Sequence, residues 1–580
     1  MDNAALARYL SEIADLLEIR GDNPFKIRAY RNAAETVVAE PSRVADMPDA
    51  ALRELPGIGK DLAQRIREIA DTGDTPYRQE LLAAFPPTLL DLLRLQGVGP
   101  KTVKRLYDEL GVASLDTLEA ACKDGRVSAL KGMGDKKQAL ILKAIEERKR
   151  YAGRHLAAQV EKAARVVVSH LKASYPDADF TPVGSLRRGV ETCGDLDILA
   201  VGAPPAVMDA FTSLPEVTRV LGRGETKSSV LLGTGLQADL RLVEPRSRGA
   251  ALQYFTGSKA HNIALRDRAL ARGLRLNEYG LFNVETGESL AGADEAGIYA
   301  ALGLALVPPE LREHRGEIEA AERDALPALV VRADLKGDLH LHTTTTDGRN
   351  DIETMALAAK AAGLEYIAIT DHSKALAMAS GLDEAAALEH AAHIRQVGAR
   401  LDGITLLAGI ECDILTDGTM DLADDCLAQL DFVVASVHTA FGLEPAAMTD
   451  RLLRALECPW VDALGHPTGR MLLRREPLRF DIEAVLRSAA AKAVAIEINS
   501  QIYRLDVSDT IARRALELGA RLIISSDAHD ITEFENLDWG VRTARRAWAA
   551  KGAVLTTQPL KALRASLRRN QSRQPRKRAR

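Results

Sequence analysis

The 580-residue chain contains no run of about 18 apolar residues, so the sequence offers no membrane-spanning helix. Its opening, MDNAALARYLSEIADLLEIR, alternates charge with apolar residues at helical spacing and lacks a signal-peptide core; a cytosolic protein is expected. Cysteine is scarce. Cys122, Cys193, Cys412, Cys426 and Cys458 are odd in number and form no C-x-x-C pair, which excludes a zinc ribbon and argues for a reducing compartment. No coiled-coil pattern appears, and a monomer is expected. The last twenty residues, KALRASLRRNQSRQPRKRAR, hold no acid and nine Lys/Arg, although the whole chain carries a net charge of −5. That basic end reads as a solvated, phosphate-attracting arm. A hydrophobic content of 46% with 27% charged residues fits a folded chain of several domains rather than a disordered one.

The first recurring feature is an L-x-G-φ-G core, with φ apolar. It occurs at Leu55-Pro-Gly57-Ile-Gly59-Lys60, at Leu95-Gln-Gly97-Val-Gly99-Pro-Lys101, and at Leu130-Lys-Gly132-Met-Gly134-Asp-Lys136-Lys137. A helical pattern follows each. Two glycines one residue apart permit a tight turn with exposed N–H groups at a helix start, and such a turn binds phosphate without reading bases. Lys60, Lys101, Lys104, Lys136 and Lys137 stand where they could meet phosphates. A single copy would read as a packing loop; three copies resemble helix-hairpin-helix motifs and imply contact with a DNA backbone.

The middle of the chain carries Gly184-Ser185-Leu-Arg187-Arg188-Gly189, then Gly194-Asp195-Leu196-Asp197-Ile198. On a strand, Asp195 and Asp197 project to one face while Leu196 and Ile198 pack behind. Carboxylates that close repel each other unless a cation lies between them, and their hard oxygens suit Mg²⁺ or Mn²⁺. A later alternating strand, Gln237-Ala-Asp239-Leu-Arg241, offers a third carboxylate. Ser185 and Arg188 lie on a glycine-flanked turn where hydroxyl, guanidinium and backbone amides could hold a triphosphate.

Beyond residue 335 the composition shifts, and eight of the twelve histidines lie there. Apolar runs (YIAIT, ITLLAGI, FVVASV, AVAIEI, RLIISSD) alternate with helical stretches, the pattern of an α/β barrel with functional residues at strand C-termini. At those positions stand Asp338, His340, His342, Asp347, Asp371, His372, Glu411, His438, His466, Asp527 and His529. So many buried imidazoles and carboxylates need partners, and the set suits a metal cluster that activates water for phosphoester hydrolysis. His390 and His393 fall on an amphipathic helix and read as packing or surface residues.

The middle motifs, extended by Tyr254-Phe255-Thr-Gly-Ser258, Asn262, Arg266 and Asn277-Glu-Tyr279, resemble the nucleotidyltransferase signature of family X DNA polymerases over about residues 1–320. The C-terminal half resembles the PHP (polymerase and histidinol phosphatase) family over about residues 335–565. The resemblance implies a bacterial-type polymerase that fills short gaps in DNA during base-excision-type repair. Its second site would remove 3′-terminal nucleotides with Mn²⁺, with AP-endonuclease or 3′-end-cleaning activity as further possibilities. By the resemblance, Asp195, Asp197 and Asp239 are catalytic metal ligands. Gly184, Ser185, Arg188 and Gly194 hold the triphosphate with Arg154, while Tyr254, Phe255, Asn262 and Arg266 border the nucleotide. Lys26 and Tyr30 meet a 5′-phosphate, beside the hairpin glycines. Around one metal His340, His342, Glu411 and Asp527 are expected, with Glu411 bridging. Mg²⁺ or Mn²⁺ is implied at the first site and up to three Mn²⁺ or Zn²⁺ at the second. The partners would be gapped or nicked duplex DNA with a 5′-phosphate and deoxynucleoside triphosphates, with no membrane, in a cytoplasmic, nucleoid-associated protein.

The fold expected is multidomain: an all-α helix-hairpin-helix region, an α+β palm and thumb, and a (β/α)7 barrel. Boundaries are expected at 1–85 (lyase-like helical domain), 86–153 (fingers), 154–258 (palm), 259–319 (thumb), 320–334 (linker), 335–565 (PHP barrel) and 566–580 (basic tail). One departure from the family concerns lyase chemistry. Where lyase-active members place a Schiff-base lysine, this chain has Arg65, with Asp61 one turn earlier. An arginine stays protonated and supplies no nucleophilic amine. Two other classes compete with the polymerase-nuclease reading: a small-molecule phosphatase, against which the hairpins argue, and an end-binding scaffold with idle sites, against which the full ligand sets argue. A template-independent transferase is a rival within the enzyme class.

Overall fold

The computed structural model describes residues 3–40, 43–95, 98–151 and 153–571. The chain divides into two compact units, Met1–Ala152 and Gly153–Arg580.

The first unit is helical. It includes α1 (Asn3–Arg20), α2 (Pro24–Ala39), α3 (Lys60–Thr72), α4 (Pro76–Ala83), α5 (Pro100–Leu110) and α6 (Gly134–Tyr151). Asn23 caps α2, accepting from the Phe25 amide, and Pro24 begins the helix where a missing N–H costs nothing. One apolar core gathers Leu6, Leu10, Leu17, Tyr30, Val37 and Ile66; another gathers Leu89, Val103, Leu118 and Ile145. Ile19, on the last turn of α1, belongs to the second core, so the regions read as 1–85 and 86–153 form one unit. Helices follow each glycine pair. Gly59 and Gly99 are extended N-caps of α3 and α5, whereas Gly57 (φ 76°) and Gly132 (φ 79°) take the left-handed conformation that turns the chain.

The second unit opens with α7 (Ala157–Ser174) and a five-stranded sheet of β1 (Asp179–Pro182), β2 (Asp195–Val201), β3 (Val217–Arg223), β4 (Lys227–Leu232) and β5 (Gln237–Val243), in the order β1-β2-β5-β4-β3. Alternation sorts its faces. Leu196, Ile198, Ala238 and Leu240 join Val160, Val167 and Leu171 of α7 in one core. Leu199 and Val201, on the opposite face, pack against Ala251 and Leu252 of α8 (Arg248–Thr256). After α9 (Lys259–Leu270) come a three-stranded antiparallel sheet, β6 (Leu274–Asn277), β7 (Gly280–Asn283) and β8 (Ser289–Ala291), and α10 (Glu295–Ala301).

The rest is a barrel. Strands β9 (Gly337–Asp338), β10 (Tyr366–Ile369), β11 (Thr405–Asp413), β12 (Phe432–Ser436), β13 (Ala463–Leu464), β14 (Ala495–Asn499) and β15 (Leu522–Ser525) pair in sequence order, all parallel. A parallel bridge from Leu341 to Ala528 ties the ends of the first and last strands. Helices α11 (Ile352–Ala361), α12 (Glu384–Gly398), α13 (Pro445–Ala455), α14 (Ile482–Lys492), α15 (Asp509–Glu517) and α16 (Leu537–Arg546) alternate with the strands, and a single helical turn, Asp424–Leu427, stands between β11 and β12. The interior is filled by Tyr366, Ala368, Leu407, Phe432, Val434, Ala495 and Ile523, with Leu563 and Leu567 from the chain end below. Two-residue spacing then carries each strand from apolar to polar on the inward face: Ala368 to Thr370, Val434 to Ser436, Ala495 to Glu497, Ile523 to Ser525. The polar end of the barrel is thus its C-terminal end.

Two expected boundaries are corrected by packing. The stretch 320–334 is no free linker: Ala320 and Ala321 are buried beside Leu304 and Ile318, Leu329 bridges to Ala550, and Val330 lies in the barrel core. The basic tail does not begin at 566 either. Leu567 is buried, Arg568–Gln571 is helical, and Arg569 pairs with the buried Asp462 at 2.7 Å. Residues 572–580 lie outside the described residues. The core around Leu196 also takes in Leu472, Leu505 and Trp539 from the barrel, so sheet and barrel share a packed boundary.

Candidate active sites

Asp195 and Asp197 stand at the start of β2, on the face that Leu199 and Val201 occupy farther along beneath α8. In the parallel register Asp197 lies opposite Asp239 and Asp195 opposite Gln237. The three carboxylates therefore meet at the uncovered end of the sheet. Burial, with Asp195 and Asp239 close by, raises the Asp197 carboxyl to about 6. Asp239 shares the burial, yet its pKa falls because Lys227, at 2.7 Å, and Gln237, at 3.0 Å, hydrogen-bond to its ionised form. Lys227 thus offers a cation to this acidic group, a role that sequence reading missed because β4 carries no motif.

The turn Gly184–Arg187 closes on the same group. Gly184 has φ 63°, and a side-chain carbon added there would lie 3.0 Å from Asp197 Oδ2, so glycine is required on both counts. Gly194 and Asp195 are exposed and Ser185 is half-buried. Arg188 donates from Nε to Glu313 (3.0 Å) and from a terminal nitrogen to the Thr256 carbonyl (2.6 Å), while Arg187 is held by Glu295. Arg154 is bound to Thr192, at 2.6 Å to its carbonyl and 2.7 Å to its hydroxyl. Tyr254 and Phe255 meet edge to face, with the Arg241 guanidinium over the Phe255 ring. Asn262 donates to the Tyr254 carbonyl and accepts from Gln253, and Arg266 is exposed.

In the helical unit Lys60, Gly59, Gly99 and Lys101 are exposed beside their helix starts, and no neighbour crowds Gly57, Gly59, Gly99, Gly132 or Gly134. Gly97 lies outside the described residues. Lys26 is exposed and its ammonium donates to the Tyr77 hydroxyl (2.6 Å). Tyr30 departs from its expected place at a DNA surface: its ring is 2% exposed, stacked on Tyr77, because α2 turns that face into the core. Arg65 pairs with Glu68 at 3.0 Å and lies over the Tyr77 ring.

At the barrel's C-terminal end the second constellation converges. His340 and His342 follow β9, His372 follows β10, Glu411 lies in β11, His438 and His466 follow β12 and β13, and Asp527 and His529 follow β15. Glu411 is 1% exposed. It faces His372 (2.8 Å), His466 (2.9 Å), His340 (3.3 Å), His438 (3.4 Å) and His342 (3.6 Å). Asp347 faces His372 at 3.3 Å and His529 at 3.5 Å, and Asp527 faces His342 at 3.2 Å. Ligand atoms gather into overlapping groups: His342, Asp347, His372 and His529; His340, His466 and Asp527; His340, His342 and Glu411; His372, Glu411 and His438. All nine expected positions come together, and Glu411 is shared by two groups. The single expected quartet divides, Asp527 grouping with His340 and His466.

These residues fit metal ions. Buried His340 Nε2, both nitrogens of His342, and His372 Nδ1 make no hydrogen bond although carboxylates lie close. In each group the ligand atoms lie within 4.8 Å of one another, the arrangement of a ligand set. Burial with His529 and His372 near lowers His342 to about 4, while Glu411 and Asp347 raise His372 to about 10 against burial. The layer behind was not legible. Glu497 accepts from His340 Nδ1 (2.7 Å) and from the His466 amide (2.5 Å); Asp413 faces His438 Nδ1 (3.3 Å); Asn499 donates to Asp527 (2.9 Å). Such partners fix tautomer and ring orientation. The Asp527 backbone is left-handed (φ 53°), held by its amide to the His340 carbonyl at 2.9 Å. Asp371 lies outside the ligand groups, accepting from Thr343 and Thr346 and facing His390, which packs on it at 2.8 Å.

Hairpin helices, an acidic nucleotidyltransferase sheet and a histidine-rich barrel on one chain define a DNA polymerase of family X joined to a PHP phosphoesterase. Comparison with family models agrees segment by segment: a helix-hairpin-helix domain at residues 1–75, a SAM-like helix-hairpin-helix tandem at 89–147, the DNA polymerase beta palm at 157–220, the DNA polymerase beta thumb at 251–313 and the PHP domain at 338–501. Among curated proteins, the DNA polymerase/3′-5′ exonuclease PolX of Bacillus subtilis (strain 168) is 38% identical over 573 residues, 98% of this chain and 100% of that protein. The chain belongs to this PolX family. A probable phosphatase of Shewanella sp. (strain ANA-3) is 30% identical over 233 residues, 38% of this chain and 88% of its own. Another, of Acetivibrio thermocellus, is 31% identical over 211 residues, 35% of this chain and 82% of its own. Membership of the family makes the chain a polymerase and a phosphoesterase that binds DNA and deoxynucleoside triphosphates and uses divalent metal ions. No helix among the described residues is long and apolar enough to cross a membrane.

Proposed function

We propose that this polymerase fills short gaps bearing a downstream 5′-phosphate in base-excision-type repair, acting as a monomer beside DNA in the cytoplasm, and that its barrel trims 3′ ends. The observation that carries the reading is the presence on one chain of two separate constellations, one of three carboxylates and one of six histidines with three carboxylates. Asp195, Asp197 and Asp239 would hold Mg²⁺ or Mn²⁺; His340, His342, Asp347, His372, Glu411, His438, His466, Asp527 and His529 would hold up to three Mn²⁺ or Zn²⁺. Divalent ions held there would supply charge neutralisation and Lewis acidity toward a hydroxyl or water. Ser185, Arg188 and the Gly184 and Gly194 amides hold the triphosphate, with Arg154 behind them. Tyr254 and Phe255 border the sugar, and Asn262 and Arg266 lie along the nascent pair. Lys26, Lys60, Lys101 and the hairpin glycines hold backbone phosphates. In the barrel Glu497 keeps the His340 Nδ1 proton in place, leaving Nε2 as the ligand atom.

A 5′-labelled primer in a gapped duplex tests this. With Mn²⁺ and deoxynucleotides, extension stops at the gap; without deoxynucleotides, the primer shortens. A primer unchanged in every lane contradicts the proposal. Lyase chemistry is not expected on this reading, because an arginine at position 65, here paired with Glu68, stays protonated and supplies no nucleophilic amine. Borohydride should trap no adduct with a 5′-deoxyribose-phosphate end, and a trapped adduct would overturn that part.

A further inference from the structure

The last residue of α16 reaches from the barrel into the nucleotide-binding turn. Arg546 is 8% exposed, and one of its terminal nitrogens donates both to Glu313 Oε1 and to the Arg188 backbone carbonyl, each at 2.9 Å. Its other terminal nitrogen pairs with Asp509 Oδ2 at 2.9 Å, and Arg315 pairs with the same oxygen, also at 2.9 Å. The same Glu313 oxygen accepts from Arg188 Nε at 3.0 Å. One carboxylate oxygen is thus shared by two guanidiniums, one from the turn and one from the barrel. The side chains of Arg188 and Glu313 are only 15% and 17% exposed.

We infer that Arg546 is a positioning residue for nucleotide binding: the barrel holds Glu313 so that Arg188 can leave it for a triphosphate. Glu313 and the Thr256 carbonyl hold Nε and one terminal nitrogen of Arg188, so turning the guanidinium toward phosphate oxygens releases Glu313, and a largely buried carboxylate left without a partner is costly. Arg546 keeps that carboxylate paired, and its bond to the Arg188 carbonyl fixes the turn. Without it, Glu313 would hold Arg188 more tightly and the turn would lose a support. Both effects weaken triphosphate binding. The inference rests on the proposed role of Arg188.

The test is steady-state kinetics of gap filling by the full chain. Arg546→Ala should raise the KM for the deoxynucleoside triphosphate about tenfold, the scale of one charged hydrogen bond, with kcat nearly unchanged. Arg546→Lys, which keeps the charge but spans fewer of the three acceptors, should fall between. Adding Glu313→Gln to Arg546→Ala should return the KM toward the parental value, because the carboxylate that restrains Arg188 is then neutral. Arg545→Ala breaks a docking pair with Glu310 at 2.7 Å in which Arg545 bonds only Glu310 and the Val330 carbonyl, and should leave the KM unchanged. Degradation of a single strand without deoxynucleotides should be unaffected by Arg546→Ala. Arg188→Ala is the control for the underlying reading: no rise in KM there would overturn the role of Arg188. A rise with Arg188→Ala but none with Arg546→Ala or Arg546→Lys would overturn the inference, as would an equal rise with Arg545→Ala.

Discussion

Glu497 carries no motif, yet it holds His340 by Nδ1 and His466 by its amide, both within 2.7 Å. Replacing it with Gln keeps the shape and removes the charge that orients the ring. Glu497→Gln should lower metal affinity in the barrel about 10- to 100-fold, read as metal content after dialysis, and leave synthesis intact. His261 makes a different buried chain. The Tyr299 hydroxyl lies 2.7 Å from its Nε2, and its Nδ1 lies 2.6 Å from Glu317. Burial keeps Tyr299 protonated and lowers His261 below its ordinary value, Glu317 opposing; Glu317 also falls, its bonds outweighing burial. The unfolded imidazole therefore binds a proton that the folded one refuses, so stability present near pH 7 is lost as pH falls below about 6.5. Comparing thermal midpoints of the parent and His261→Gln between pH 7 and pH 5 should show the gap narrowing with acid. A gap that widens would contradict this assignment.

Elements were legible where the pattern is local. The glycine pairs preceding α3, α5 and α6, the i, i+2 carboxylates of β2 and the strand ends of the barrel all follow from spacing of a few residues. What escaped notice joins separate elements: Lys227 with Asp239 across a pair of consecutive strands, and His340 with Glu497 and Arg569 with Asp462 across more than a hundred residues each. A charged residue on an unremarkable strand or in a basic stretch gives no sign of its partner until the fold supplies it. Tyr30 went astray for a related reason, since its motif match says nothing of which face of α2 turns inward. The hairpins support a prediction at this scale. Lys60→Glu with Lys101→Glu should weaken binding to gapped duplex about equally for unrelated sequences and flatten the dependence of affinity on salt, measured by anisotropy titration. A loss confined to one sequence would argue against backbone contacts.

At the scale of the molecule, sheet and barrel share a core through Leu472, Leu505 and Trp539, and Arg470 of the barrel pairs with Glu191 beside the nucleotide turn. Two chemistries thus sit on one packed body, and the claim that they are separate sites is central. The most direct measurement follows a 5′-labelled primer in a gapped duplex with Mn²⁺, comparing Asp239→Ala with the double substitution His340→Ala and His342→Ala. Asp239→Ala should stop extension, by more than about a hundredfold, and spare shortening; the double substitution should do the reverse. Loss of both activities from either folded variant would contradict the two-site account.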